Sequence, residues 1–215
     1  MWDFPWDFLN GNRRVRVHIE PRPQTGNRCP PKESCDNWST MLKYFIAIEP
    51  PRDQRVRIAT VMRQMSDPWP VPHITVKAPD GLTSDLAWLP RVREVAARSA
   101  RFIVTTGEAR TFGNRILYLS VEGTNLAQLH QSILEVISPN SDLEPTFSKE
   151  REYVPHLTLA IAHKENALPP YEQLVSTLQK LDPFEVVELT IYRRKDPATH
   201  YRVWKRLPLA NSPEA

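Results

Sequence analysis

Val71–Val76 reads VPHITV and Val154–Leu159 reads VPHLTL, so the pattern V-P-H-apolar-T-apolar occurs twice, with four of six positions identical. Side chains alternate along a β-strand, and residues two apart share a face. His73 and Thr75 therefore lie together, opposite Ile74 and Val76, while His156 and Thr158 lie opposite Leu157 and Leu159. Each copy presents one imidazole and one hydroxyl on one side and an apolar back to bury on the other.

The surroundings of the two strands repeat as well. Leu42 to Ile48 (LKYFIAI) and Arg115 to Val121 (RILYLSV) read as buried strands, with Tyr44 to Ile48 corresponding to Leu117 to Val121. A helix follows each. After Pro50 and Pro51, Ile58, Met62 and Met65 recur at three-to-four spacing up to about Ser66, and from Asn125 to Ile137 the stripe is Leu126, Leu129, Ile133 and Ile137. Further helices are expected at Ser84 to Ala100, interrupted or restarted by Pro90, and at Tyr171 to Leu181. Short strands are expected at Phe102 to Thr106, Ala109 to Phe112, Phe184 to Tyr192 and His200 to Leu207. The order strand, helix, strand, run twice, implies an internally duplicated two-lobed α+β fold, with antiparallel sheets lining a central cleft and helices outside.

Composition supports a globular protein of 215 residues, 40% apolar, with 21 prolines against 6 glycines. Residues 1–40 differ from the rest: they hold both cysteines, Cys29 and Cys35, three of the tryptophans and an arginine-rich patch, and almost no periodic apolar face. They read as a disordered N-terminal extension. The folded domain is expected over 41–209, with lobes at 41–113 plus the C-terminal strands and at 114–183, and a tail at 210–215. A lone C-x5-C pair lacks the second pair of ligands that a structural zinc site needs. No stretch approaches the roughly 18 apolar residues of a membrane span, and no basic-then-apolar leader is present, so a soluble, cytoplasmic monomer is expected. Net charge of +3 permits an anionic partner without requiring one.

A histidine on a single strand is ordinarily structural. Two copies of the same strand at equivalent points of a duplicated layout are poorly explained by packing. Imidazole titrates near pH 6.5, so one member of a pair can accept a proton while the other donates one. Opening a phosphodiester needs both: a base for the attacking water and an acid for the departing sugar oxygen. The threonine hydroxyls can donate to the non-bridging phosphate oxygens. No metal or other cofactor is called for.

These residues resemble the paired H-x-T-x motifs of the 2H phosphoesterase superfamily, which includes bacterial 2'-5' RNA ligases and RNA cyclic phosphodiesterases. The resemblance runs from about Met41 to Leu209 and takes in KYFIAIEPP (Lys43–Pro51) and THYRVWKRLPL (Thr199–Leu209). It implies His73 as proton donor, His156 as proton acceptor, Thr75 and Thr158 as phosphate ligands, and RNA or a cyclic nucleotide as substrate. The activity implied is hydrolysis of 2',3'-cyclic or 2'-5' phosphodiester bonds, or reversible 2'-5' ligation. The alternative is a low-turnover module that binds RNA ends or nucleotides in the same cleft.

Further substrate-binding candidates are Lys77, which continues the alternation of His73 and Thr75, and Tyr44 and Tyr201, which can stack a base. Phe112 is expected in the core. Arg193, Arg194 and Lys195 form a basic run that is a solvated turn or a backbone contact for RNA. His18, His130, His163 and His200 lack the H-x-T context and are left out of the site.

Overall fold

The structure, a computed structural model, describes residues 42–65, 71–137, 153–162, 171–178, 181–196 and 199–211. The expectations for residues 1–40 and for the cysteines lie outside them, as does His163. The elements are β1 (Lys43–Ile48), α1 (Arg52–Met65), β2 (Ile74–Lys77), α2 (Leu89–Arg98), β3 (Phe102–Phe112), β4 (Ile116–Glu122), α3 (Leu126–Ile137), β5 (His156–Ile161), α4 (Glu172–Ser176), β6 (Phe184–Val186), β7 (Glu188–Arg194) and β8 (Arg202–Pro208).

The strands form one eight-stranded sheet in the order β6-β3-β4-β5-β2-β1-β7-β8, and every recorded strand pair is antiparallel. The two histidine-bearing strands, β5 and β2, are its central pair. The duplication is visible in what flanks them: β4 and β1 next, then β3 and β7, then β6 and β8. The fold is α+β with related halves, as the repeated order implies, and the strands of both halves join in a single sheet. By this order β3 belongs with β4, β5 and β6, so the halves divide before Phe102 and not at residue 113.

The apolar stripes of three helices cover one face of the sheet. Ile58, Val61 and Met62 of α1, Val92, Val95 and Ala96 of α2, and Leu126, Leu129, Ile133 and Ile137 of α3 join the strand residues Ile46, Ile74, Leu119, Leu157 and Leu159 in one buried cluster. Helix α1 follows β1 but packs against β5, and α3 follows β4 but packs against β2. Each half thus supports the histidine strand of the other, which ties the two together behind the site.

Three local differences from the sequence reading have physical causes. The two short strands expected at Phe102–Thr106 and Ala109–Phe112 are one strand, β3, with a bulge: Thr106 pairs with Val121 and Ala109 with Leu119, leaving one extra residue on β3. A Cβ on Gly107 would sit 2.5 Å from the Ser120 hydroxyl, so glycine is what allows this approach. The strand expected over Phe184–Tyr192 breaks at Val187, where the curled sheet brings its two ends together: β6 pairs with β3 at one end of the strand order, and β7 pairs with β1 and β8 near the other. The helix expected from Ser84 begins only at Leu89, because Pro90 is tolerated in a first turn and not in a helix interior. The C-terminal tail also starts later than residue 210, since Ala210 bridges to Ala100 and donates to the Ser99 carbonyl (2.9 Å).

Candidate active site

Ile74 of β2 pairs with Leu157 of β5. Counting antiparallel from that pair sets Thr75 opposite His156 and His73 opposite Thr158. All four lie on the face away from the helices, where both threonines and both histidines are half-buried while Ile74 and Leu157 are buried behind them. The histidines are then diagonal neighbours, which in antiparallel pairs means backbones about 7–8 Å apart. The geometry brings the four duplicated residues to one spot.

The two imidazoles are held in the same way. Nδ1 of His73 lies 2.8 Å from the Val71 carbonyl and Nδ1 of His156 lies 2.8 Å from the Val154 carbonyl. A carbonyl only accepts, so each Nδ1 carries the hydrogen and Nε2 is the nitrogen left for exchange with a ligand. The valine and proline of V-P-H therefore have a function in the local fold: they set the carbonyl that fixes the tautomer.

Each ring also sits on a stacked phenylalanine–tyrosine pair. Phe45 and Tyr192 stack at 4.6 Å and 3°, and His73 lies 4.9 Å and 5.8 Å from them. Phe112 and Tyr118 stack at 4.1 Å and 19°, and His156 lies 5.2 Å and 5.4 Å from them. These walls take the imidazoles partly out of water, and burial lowers the pKa of both. The Val71 and Val154 carbonyl bonds oppose that shift, and His156 adds to it at His73.

Tyr201 joins this face: it packs edge-on to Phe45 at 4.8 Å, beneath the Arg194 guanidinium at 4.8 Å. The basic run divides, since Arg193 instead lies over Trp204 at 5.4 Å and Lys195 is exposed.

Two predicted site residues are not in the site. Tyr44 is 1% exposed and points into the helix-side core, edge-on to Trp88 at 5.5 Å and against Trp204 at 5.2 Å. The aromatic that faces His73 is its neighbour Phe45. Lys77 is 4% exposed, and its ammonium donates to the carbonyls of Ala78 and Asp80. The cause is a register shift between β1 and β2: Ala47 pairs with Thr75, but Ile46, a core-face residue, pairs with Lys77. The alternation that should carry Lys77 onto the site face is broken between Thr75 and Lys77. Phe112, expected in the core, is on the site face.

Behind β2 a second group holds the strand. The Tyr153 hydroxyl donates to the Thr75 carbonyl at 2.9 Å, and Nδ1 of His130 donates to the Val76 carbonyl at 2.6 Å, with the two rings stacked at 4.0 Å and 6°. β2 and β5 pair only at Ile74–Leu157, and these side chains satisfy β2 carbonyls beyond that point. His130 is thus structural. Sequence reading missed Tyr153, which no local pattern marks.

Beside His73, just past the end of β1, the Glu49 side chain is nearly buried. Its carboxylate accepts from the Tyr192 hydroxyl and from Arg55, and from Arg206 at 3.0 Å; Arg206 also reaches Glu188 (2.5 Å). A concavity of about 240 Å³ opens there, lined by Arg55, Thr190 and Arg206 among others. Among the described residues, no group of three or more His, Cys, Asp or Glu is arranged to hold a metal, and no helix is long and apolar enough to cross a membrane.

A central strand pair bearing matched H-x-T motifs on one open face of a duplicated sheet defines a two-histidine phosphoesterase fold. Residues 49–198 match the family model for the 2'-5' RNA ligase superfamily, and the chain belongs to that family. Among solved structures, TT0787 of Thermus thermophilus is 18% identical with a TM-score of 0.59, over 80% of this chain and 100% of that one. E. coli LigT complexed with NADP+ is 19% identical with a TM-score of 0.54, over 79% and 98%. LigT complexed with 3'-AMP is 20% identical with a TM-score of 0.51, over 79% and 98%. At these identities the likeness is one of fold. No curated protein sequence matches.

Proposed function

We propose that this protein is a phosphoesterase that hydrolyses 2',3'-cyclic phosphate or 2'-5' phosphodiester bonds in RNA or nucleotides by histidine acid–base catalysis. The observation that carries this reading is the equivalence of the two imidazoles. Each has Nδ1 tied to the carbonyl two residues back, an aromatic pair beneath it and a threonine across the strand pair. Binding alone would not require two such groups.

In the proposed reaction His156 accepts a proton from water through Nε2 as the water oxygen bonds to phosphorus. The bond from phosphorus to the leaving sugar oxygen breaks, and His73 gives that oxygen its proton. Thr75 and Thr158 donate to the non-bridging oxygens, where charge builds in the transition state. With a 5'-hydroxyl in place of water attacking a 2',3'-cyclic phosphate, the same two proton transfers join a 2'-5' linkage as the 3'-oxygen leaves phosphorus and takes the proton. LigT complexed with 3'-AMP, a relative in fold, is compatible with a nucleotide in such a cleft. Tyr201 beside Phe45 is suited to stacking the base. The protein acts in this reading as a cytoplasmic monomer with no metal or cofactor.

Incubation with a panel of 2',3'-cyclic phosphates and 2'-5' oligonucleotides, with and without a chelator, tests it. Turnover unaffected by chelation is expected. Tight binding of these ligands without turnover would favour the nucleotide-binding module instead, and activity restored only by a divalent metal would overturn the mechanism.

A further inference from the structure

The two halves match at their histidines but not beside them. The strand registers match Ile48, paired with Ile74, to Leu119, paired with Leu157, which shifts the correspondence expected from the sequence by two residues; one step on, Glu49 falls next to His73, and its counterpart Ser120 pairs with His156. Resting on the acid–base reading, we propose that Glu49 is a positioning residue that makes the surroundings of the pair unequal: its carboxylate, beside His73 and bonded to the Tyr192 hydroxyl, supports a cation at His73, and the uncharged Ser120 gives His156 no such support.

The groups facing His73 are Glu49 from the end of β1, Tyr192 from β7 and His156 from β5, with Arg55 of α1 and Arg206 of β8 reaching it only through Glu49. Glu49 acts in two ways. Its charge works against both the burial and the His156 repulsion that disfavour a cation at His73, and its bond to Tyr192 holds the ring that stacks on Phe45 beneath the imidazole. His156 has no carboxylate in that place. Ser120 there donates to the Glu108 carbonyl at 3.3 Å and carries no charge. Sequence symmetry hides this difference, because the duplicated motifs end before it.

The experiment is an NMR titration of the histidine side chains in the full-length chain, with His73 and His156 assigned by substitution. Glu49→Gln keeps an acceptor for Tyr192 but removes the anion and unmasks two guanidinium groups, and both effects act in one direction. The His73 titration point should fall by about 0.5 unit or more while that of His156 moves less than half as far. Arg206→Gln, at a more exposed residue, leaves Glu49 and Glu188 less neutralised and should move His73 upward. Should Glu49→Gln not fold, the sign of the Arg206→Gln shift decides alone. His73 unmoved in whichever of the two variants folds, or both histidines moving equally, overturns the proposal. That failure is distinguishable from failure of the enzymatic reading, which would appear as full turnover after loss of either histidine whatever the titration shows.

Discussion

Replacing His156 by alanine removes the proposed base and little else. The imidazole makes one hydrogen bond, to the Val154 carbonyl, and edge contacts to Phe112 and Tyr118. Val154 is 44% exposed, so water can take the freed carbonyl, and the loss is that of one exchanged bond and a half-buried ring, about 1 kcal/mol. For a chain of this size that lowers Tm by roughly 2–4 °C, against a total stability of about 5–15 kcal/mol. The expected catalytic effect is far larger: a fall in kcat of about 10²–10⁴, or about 2.7–5.5 kcal/mol in the barrier, with substrate affinity changed much less. The same holds for His73→Ala, whose Val71 carbonyl is on a residue 41% exposed. The double variant should lose less than the product of the single losses, because both groups serve one step. Steady-state kinetics on a 2',3'-cyclic phosphate, with thermal melts of the same samples, make the comparison. Full activity in either single variant refutes the reasoning, as does an activity loss that merely tracks unfolding.

Tyr153→Phe keeps the stack on His130 but removes the donor to the Thr75 carbonyl, and should cost about 1–3 kcal/mol in urea unfolding, with kcat falling through Thr75. Burial depresses the folded-state pKa of His73, His130 and His156, so between those values and about 6.5 the unfolded chain binds more protons; stability should be full above pH 6.5, fall as the pH drops from there towards the folded values and level off below them, and a urea midpoint no lower at pH 5.5 than at pH 7.5 would contradict this. Lys77→Met should leave KM for a nucleotide unchanged within about twofold, since the ammonium is turned to backbone carbonyls; a tenfold rise in KM, as expected on losing a phosphate contact worth about 1.4 kcal/mol, would return Lys77 to the site.

The sequence by itself determined the duplication, the α+β class, the stripes of α1 and α3, and the shared face of His73 with Thr75 and of His156 with Thr158. Those follow from local rules: strand alternation, helical spacing and proline at an element's start, which depend on near neighbours only. Parity failed where a strand is apolar throughout. β1 is buried from Tyr44 to Ile48, so its letters do not say that Phe45 rather than Tyr44 faces His73. Only the pairing of Phe45 with Tyr192 decides it. Parity failed again at Lys77, because a one-residue register shift against β1 is a property of two strands and not of one. The bonds of Tyr153 and His130 to β2 and those of Tyr192 and Arg206 to Glu49 likewise join residues 54 to 157 positions apart, from Val76 with His130 to Glu49 with Arg206. No local pattern encodes such contacts, since they arise when the two halves close into one sheet, and it is there that two similar histidines come to have unlike neighbours.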